Sequence, residues 1–314
     1  MKVLTDADVA ELVDPVKVVE AVERAYILYS LGKVVMPVRS RIPAKDGDIL
    51  MMPCLVPDMK IFSLKLVTVY PGNVDKGIPT INATVIVLEA ETGVPKFVAE
   101  ARALTGVRTA AATAVSIKHL APRHFTKVGI IGAGYQARWQ LKVVAANYPG
   151  SKFMVYDVDR RRLEEFIAEI GRMGYDVKPA ASAEELVKWS DVIVTVTTSK
   201  TPVVSNGWVK SGIHISAIGG YTPEMVEIDP VLTARSKLVV DSREAVKEEA
   251  GDVLKPIELG LMKFENIYAE IGEIAAGLKP GREKEDEITL FKSVGLAVQD
   301  AAASKILLDY LMTR

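Results

Sequence analysis

The 314-residue sequence contains one cysteine, Cys54. An intrachain disulfide is therefore impossible, and zinc or iron–sulfur centres built on four thiolates are excluded. There are three histidines, His119, His124 and His214, at no spacing that suits a metal, so no metal cofactor is expected. Excess charge of one sign is also missing. Lys and Arg total 39 against 40 Asp and Glu, a net charge of −1. Such a chain has no bulk attraction to nucleic acid or to anionic membrane, and neither partner is expected. No apolar run approaches the roughly 18 residues of a membrane-spanning helix. The opening Met1-Lys2-Val3-Leu4-Thr5-Asp6 turns acidic before a signal-peptide core can form, which sets a cytoplasmic location as the expectation. Internal repeats and low-complexity tracts are absent.

What is present reads as an ordinary globular protein, 49% hydrophobic and 25% charged. At about 100–200 residues per domain, the length suits two domains. Asp14-Pro15 predicts a helix start, with Asp as cap and Pro at the first helical position. Short β-rich runs follow at Met36–Ile42, Ile49–Met52, Ile61–Tyr70, Thr84–Leu88 and Pro95–Val98, separated by Pro and Gly turns. Runs this close together predict an antiparallel or mixed sheet. An Ala-rich helix is expected over Arg102–Leu120. From Ala121 to about Gly281, apolar strands alternate with amphipathic helices, the pattern of a parallel sheet covered on both faces. Ser182 and Glu185 fit a capping box. Leu290 to Leu311 reads as a closing helix.

Gly132-Ala133-Gly134-Tyr135-Gln136-Ala137 is a G-x-G-x-x-A motif that follows an apolar strand and opens a helix. The next strand ends in Asp157, in the place of the acidic residue that holds the adenosine ribose. Each part has a physical task. Gly132 permits the tight turn and Gly134 lets a pyrophosphate reach the backbone. Ala137 keeps helix and strand close, and the helix N-terminus offers N–H groups to phosphate. Asp157 repels a 2′-phosphate and favours NAD(H). Arg160, Arg161 and Arg162 follow at once, and one of them neutralising that phosphate would allow NADP(H). Thr197-Thr198-Ser199 places hydroxyls at the carboxyl end of a parallel strand, beside the expected crevice or merely opening a polar loop.

Some polar residues look misplaced. Lys65 sits in the apolar run Ile61-Phe62-Ser63-Leu64-Lys65-Leu66-Val67. Buried, it needs a partner or a lowered pKa, which makes it a usable acid or base. On an edge strand, it would instead block aggregation. Both readings stand. Arg39 and Arg41 share a strand face and suit carboxylate recognition, with surface charge as the alternative. Arg108 lies among small residues in a helix that packs closely. His214 and Cys54 read as core, and Glu270 and Glu273 as structural.

Taken together, these motifs resemble the ornithine cyclodeaminase/mu-crystallin family, over nearly the whole chain. The resemblance rests on Met36-Pro37-Val38-Arg39, Leu64-Lys65, Pro71-Gly72-Asn73 and Lys76-Gly77-Ile78-Pro79-Thr80. It continues through Leu104-Thr105, Arg108-Thr109-Ala110-Ala111, the glycine motif, Ile218-Gly219-Gly220 with Pro223, Ile271-Gly272-Glu273 and Gly295-Leu296-Ala297-Val298-Gln299-Asp300. It implies an α/β homodimer. In it, an α+β substrate-binding and dimerisation domain (residues 1–120 with 284–314) flanks a Rossmann NAD(P)-binding domain (residues 121–283). Members include ornithine cyclodeaminase, an alanine dehydrogenase, cyclic ketimine reductases and thyroid-hormone-binding mu-crystallin.

By position, the resemblance makes Lys65 the catalytic acid/base and assigns the substrate to Arg39, Lys65, Thr80 and Arg108. The dinucleotide falls to Gly132, Gly134, Tyr135, Gln136, Ala137 and Asp157, with Arg108, Arg160, Thr197, Thr198, Ile218 and Ser293 around it. Two departures matter. Cyclodeaminases and the alanine dehydrogenase branch carry an aspartate where this sequence has Tyr221. A neutral phenol, with an ordinary pKa of about 10, replaces that carboxylate poorly in cyclodeamination. Leu50 stands near the point where alanine-dehydrogenase-like members carry an arginine. The resulting expectation is an NAD(P)H-dependent oxidoreductase acting on the C=N or CH–NH bond of a small imino or amino acid. Pyrroline-2-carboxylate leads as substrate, and Tyr221 lines or joins the site. Alanine dehydrogenation, ornithine cyclodeamination and dinucleotide-gated ligand binding are the competing readings.

Overall fold

A computed structural model describes residues 1–312. The chain forms two compact units: Met1–Arg108 together with the segment from Leu296 onward, and Thr109–Gly295. The division falls inside the helix Arg102–Leu120 rather than at its end.

The first unit is built on a six-stranded sheet. Its strands are β1 (Lys2–Leu4), β2 (Ser40–Ala44), β3 (Gly47–Val56), β4 (Ile61–Val69), β5 (Ile81–Glu89) and β6 (Pro95–Glu100), in the order β1-β6-β5-β4-β3-β2. Only β1 pairs in parallel, with β6, so the sheet is mixed. Side chains alternate across a strand. Met52, Cys54 and Val56 on β3, and Ile61, Ser63 and Lys65 on β4, therefore share the buried face. The helix Ala297–Met312 packs on β3, β4 and the helix Pro15–Ser30. Pro15–Ser30 starts where the sequence predicts, with the Asp14 carboxylate accepting from the Val16 and Lys17 N–H groups.

The second unit holds an eight-stranded sheet: β7 (Lys127–Ile131), β8 (Lys152–Tyr156), β9 (Val177–Pro179), β10 (Val192–Thr195), β11 (His214–Ala217), β12 (Lys237–Val240), β13 (Ala269–Glu270) and β14 (Thr289–Lys292). The order is β13-β12-β14-β11-β10-β7-β8-β9, with every pairing parallel. The connection reverses between β7 and β10, the topological switch point at which doubly wound sheets bind dinucleotides.

One expectation is corrected here. Leu290 does not begin a helix. Thr289–Lys292 is a fully buried strand between β11 and β12, and the last helix starts at Ala297. A short apolar run has no period that separates strand from helix, and the vacant central place in the sheet decided it. For the same reason, residues 284–295 belong to the second unit, not to the first, where the sequence expectation puts them. His214 is the satisfied core residue the sequence predicts, bonded to Thr289, Ser216 and Ser116. No helix among the described residues is long and apolar enough to cross a membrane.

Candidate active site

In the second unit, Gly132 follows β7 with φ +104°. A Cβ there would stand 2.9 Å from the Val196 carbonyl oxygen, so only glycine fits the close approach of two strand ends. Gly134 is the N-cap of the helix Tyr135–Asn147 and has no side-chain cap. A Cβ at Gly134 would meet nothing within 4 Å. An open glycine position before uncapped first-turn N–H groups is a cradle for a pyrophosphate, and the residues present fit a dinucleotide.

Arg138, not singled out in the sequence, pins this loop. Its Nη1 donates to the carbonyls of Ala133 and Gly134 at 3.1 and 2.9 Å, and its Nε donates to Glu169. Ala137 is fully buried, and Tyr135 and Gln136 are half-buried, the Gln136 Oε1 lying inside without a hydrogen-bond partner.

Asp157 is buried at the end of β8. Its carboxylate accepts the N–H groups of Ala133 and Asp159, each at 2.8 Å. The arginine beside it is Arg162, 3.5 Å away. Arg160 and Arg161 are exposed and turn to Glu164 and Glu165 one helical turn on.

Of the other residues expected at the dinucleotide, Thr197, Thr198, Ile218 and Ser293 lie at the carboxyl ends of β10, β11 and β14, whereas Arg108 lies on the helix Arg102–Leu120 in the first unit. Thr197 is half-buried, Thr198 exposed, Ile218 and Ser293 buried. Around them stands a buried ionic network the sequence reading missed. Glu227 Oε1 accepts from the Thr197 N–H and hydroxyl, and Oε2 accepts from the Gly219 and Gly220 N–H groups. Burial pushes its carboxyl above the ordinary range, opposed by Lys292. Lys292 Nζ pairs with Asp252 at 2.8 Å and donates to the Gly220 carbonyl at 2.7 Å. Ser293 donates to Asp241, whose carboxyl burial likewise raises. Glu227 and Lys292 thus hold the Gly219-Gly220 turn that leads into half-buried Tyr221. The signal for Lys292 was the one that marked Lys65: a lysine in an apolar run. The helix assigned there hid it.

In the first unit, β4 is paired on both sides, which removes the edge-strand reading of Lys65. Lys65 is 1% exposed, and its Nζ forms an ion pair with Asp300 Oδ2 at 2.7 Å. Burial lowers its pKa to about 8, with Asp300 opposing the shift and Arg108 and Arg39 adding to it. Arg108 Nε donates to Asp300 Oδ1 at 3.0 Å, and its Nη1 donates to Gln299. Gln299 in turn donates to the buried Tyr26 hydroxyl.

Arg39 and Arg41 part company. Arg41 is exposed and bound to Asp48 at 2.7 Å, whereas Arg39 is half-buried just before β2. Thr80 is half-buried, and its carbonyl accepts the Tyr70 N–H. Leu50 pairs with Val67 within the sheet. In the sequence, Gln299 and Asp300 enter only as the end of a resemblance motif, with no role assigned, although an acid next to Val298, Ala301 and Ala302 was a visible sign.

Comparison with known proteins bears on this geometry. The model of the ornithine cyclodeaminase/mu-crystallin family matches residues 1–313. Alanine dehydrogenase of Archaeoglobus fulgidus is 37% identical over 314 residues, covering 99% of this chain and 95% of that protein. A Delta(1)-pyrroline-2-carboxylate reductase of Bacillus cereus is 35% identical over 318 residues, 100% of this chain and 98% of that protein. Among solved structures, Thermococcus litoralis Delta(1)-pyrroline-2-carboxylate reductase, in complex with NADH and L-proline, superposes with a TM-score of 0.93. It is 37% identical and covers 100% of this chain and 98% of that one.

Proposed function

The chain belongs to the ornithine cyclodeaminase/mu-crystallin family, and from that premise we propose that it reduces the C=N bond of a small cyclic imino acid, pyrroline-2-carboxylate first among them, with NAD(H). The observation that carries this reading is the ammonium of Lys65, buried on the core face of β4 and poised near neutral pH between Asp300 and two arginines. When bound at the glycine motif of Gly132 and Gly134, NAD(H) would supply the hydride for the imine carbon. Arg108, tied through Nε and Nη1, keeps its Nη2 edge for the substrate carboxylate, and Arg39 adds a second positive charge beside Lys65. As the C=N electron pair settles on nitrogen, Lys65 Nζ gives that nitrogen a proton and later recovers one from water. Tyr221 stands where the cyclodeaminases of the family carry an aspartate, and it offers no carboxylate for cyclodeamination.

Asp157 supports NAD(H) over NADP(H), because its carboxylate opposes a 2′-phosphate. We further assign a homodimer acting in the cytoplasm. The outer face of the first sheet supports the dimer, leaving Leu66 and Ile86 41% and 37% exposed.

The test follows NADH oxidation with pyrroline-2-carboxylate. Fast turnover is expected, falling by roughly 10²–10⁴-fold in Lys65→Ala, the worth of a general acid. Wild-type kcat in that variant would remove Lys65 from the chemistry. The 37% identity to an alanine dehydrogenase favours a second reading, reductive amination of pyruvate. NADH oxidation with pyruvate only when ammonium is present, and none with the cyclic imine, would install it.

A further inference from the structure

We propose that Asp300 is a positioning residue, the shared counter-ion that holds Lys65 and Arg108 in place and keeps the lysine charged until it gives up its proton. The inference rests on the reading of Lys65 as proton donor.

Asp300 lies in the first turn of the helix Ala297–Met312 and is fully buried. A carboxylate in such a place costs several kcal/mol unless its charge is matched, so a purely structural helix would carry an apolar residue there. Instead, one oxygen faces each cation: Oδ2 meets Lys65 Nζ at 2.7 Å and Oδ1 meets Arg108 Nε at 3.0 Å. The neighbouring Gln299 takes a second nitrogen of the same guanidinium. One short stretch of helix therefore fixes both the proton donor and the carboxylate anchor.

The charges facing Lys65 from each packed element give the signs. Asp300, on the C-terminal helix, favours the charged lysine. Arg108, on the helix Arg102–Leu120, and Arg39, ahead of β2, disfavour it. Cys54 on β3 adds no charge, because burial and Asp300 push its thiol up to about 12. Without Asp300, two arginines and a desolvated ammonium would stand together, and the lysine would be neutral at lower pH.

The experiment records kcat against pH for NADH-dependent imine reduction at saturating imine, with thermal melts to confirm folding. Reduction needs charged Lys65, so the wild-type rate should fall as pH rises through about 8. In Asp300→Asn, the limb should move down by about one pH unit or more, since an opposite charge this close shifts a pKa by roughly 1–3 units. Asp300→Glu should bring it back toward the wild-type position. Arg108→Gln should move it the other way, to higher pH, and this arm stands even if Asp300→Asn does not fold. An unmoved limb in folded Asp300→Asn, or an unmoved or lowered limb in Arg108→Gln, overturns the proposal. A wild type that reduces no imine, or a fully active Lys65→Ala, sinks the reading of the site and this inference with it.

Discussion

Asp157 is held by two backbone N–H groups, so its charge cannot swing aside for a 2′-phosphate. Arg162, at 3.5 Å, is the cation that would be released if that charge were removed. Asp157→Ser should therefore shift the ratio of kcat/KM for NADH over NADPH toward NADPH by roughly tenfold or more, about 1.4 kcal/mol. An unchanged ratio in steady-state kinetics would mean that coenzyme choice lies elsewhere. At this scale, the sequence made Asp157 and Lys65 conspicuous, one by its place after a strand, the other by its apolar neighbours. It left the arginines unresolved. Arg41 found Asp48 across the β2–β3 hairpin, while Arg39, two residues earlier, came to act on Lys65. Which group each of two such arginines faces depends on how strand and turn place it, not on the residue type.

The glycine motif acts through the strand–turn–helix element that carries it, and its two glycines should fail differently. Gly132→Ala forces a side chain into positive φ and against the Val196 carbonyl, and should lower stability by about 1–3 kcal/mol. Gly134→Ala meets open space at φ −79°, so the melting temperature without cofactor should stay near that of wild type. NADH binding should weaken at least roughly tenfold, because contacts to a charged group are worth about 1.5–3 kcal/mol each. Thermal melts beside a fluorescence titration with NADH separate the two outcomes, and equal melting losses in both variants would refute the distinction.

Local signals named other elements well. Asp14-Pro15 opens its helix, and Ser182 caps the helix Ala183–Trp189. Yet Glu185 reaches back to the Ala181 N–H, one residue before the cap, so the reciprocal half of the box is displaced. Residues 290–292 suit the start of a helix from their local pattern, because the sheet partners that make Thr289–Lys292 a strand, β11 and β12, come from segments well before it in the chain.

For the molecule as a whole, the buried imidazole of His214 links folding to pH. Burial lowers its pKa to about 3, with the positive charge of Arg282 adding to the effect. An unfolded chain protonates this histidine near pH 6.5, whereas the folded chain does not until far lower. Stability should therefore be fully present above about pH 6.5 and fall with acidification toward pH 3, by up to about 1.4 kcal/mol per pH unit from this group. Denaturation measured across that range should show a shallower slope in His214→Asn, and an identical slope would assign the acid sensitivity to other groups.

The sequence by itself determined the architecture, the place of the dinucleotide motif and the family, because each is written in local periodicity or in contiguous residues. Strands of period two, an alternating strand–helix order and a glycine turn before a helix need no distant partner to be recognised. The tertiary structure alone decided what gives those residues their chemistry. Lys65 and Asp300 stand 235 positions apart in the sequence and 2.7 Å apart in the fold, and Glu227 gathers Thr197 with the Gly219-Gly220 turn. A buried charge is tolerated only beside its counter-charge, and which residue supplies it follows from how sheet and helix pack rather than from any pattern along the chain.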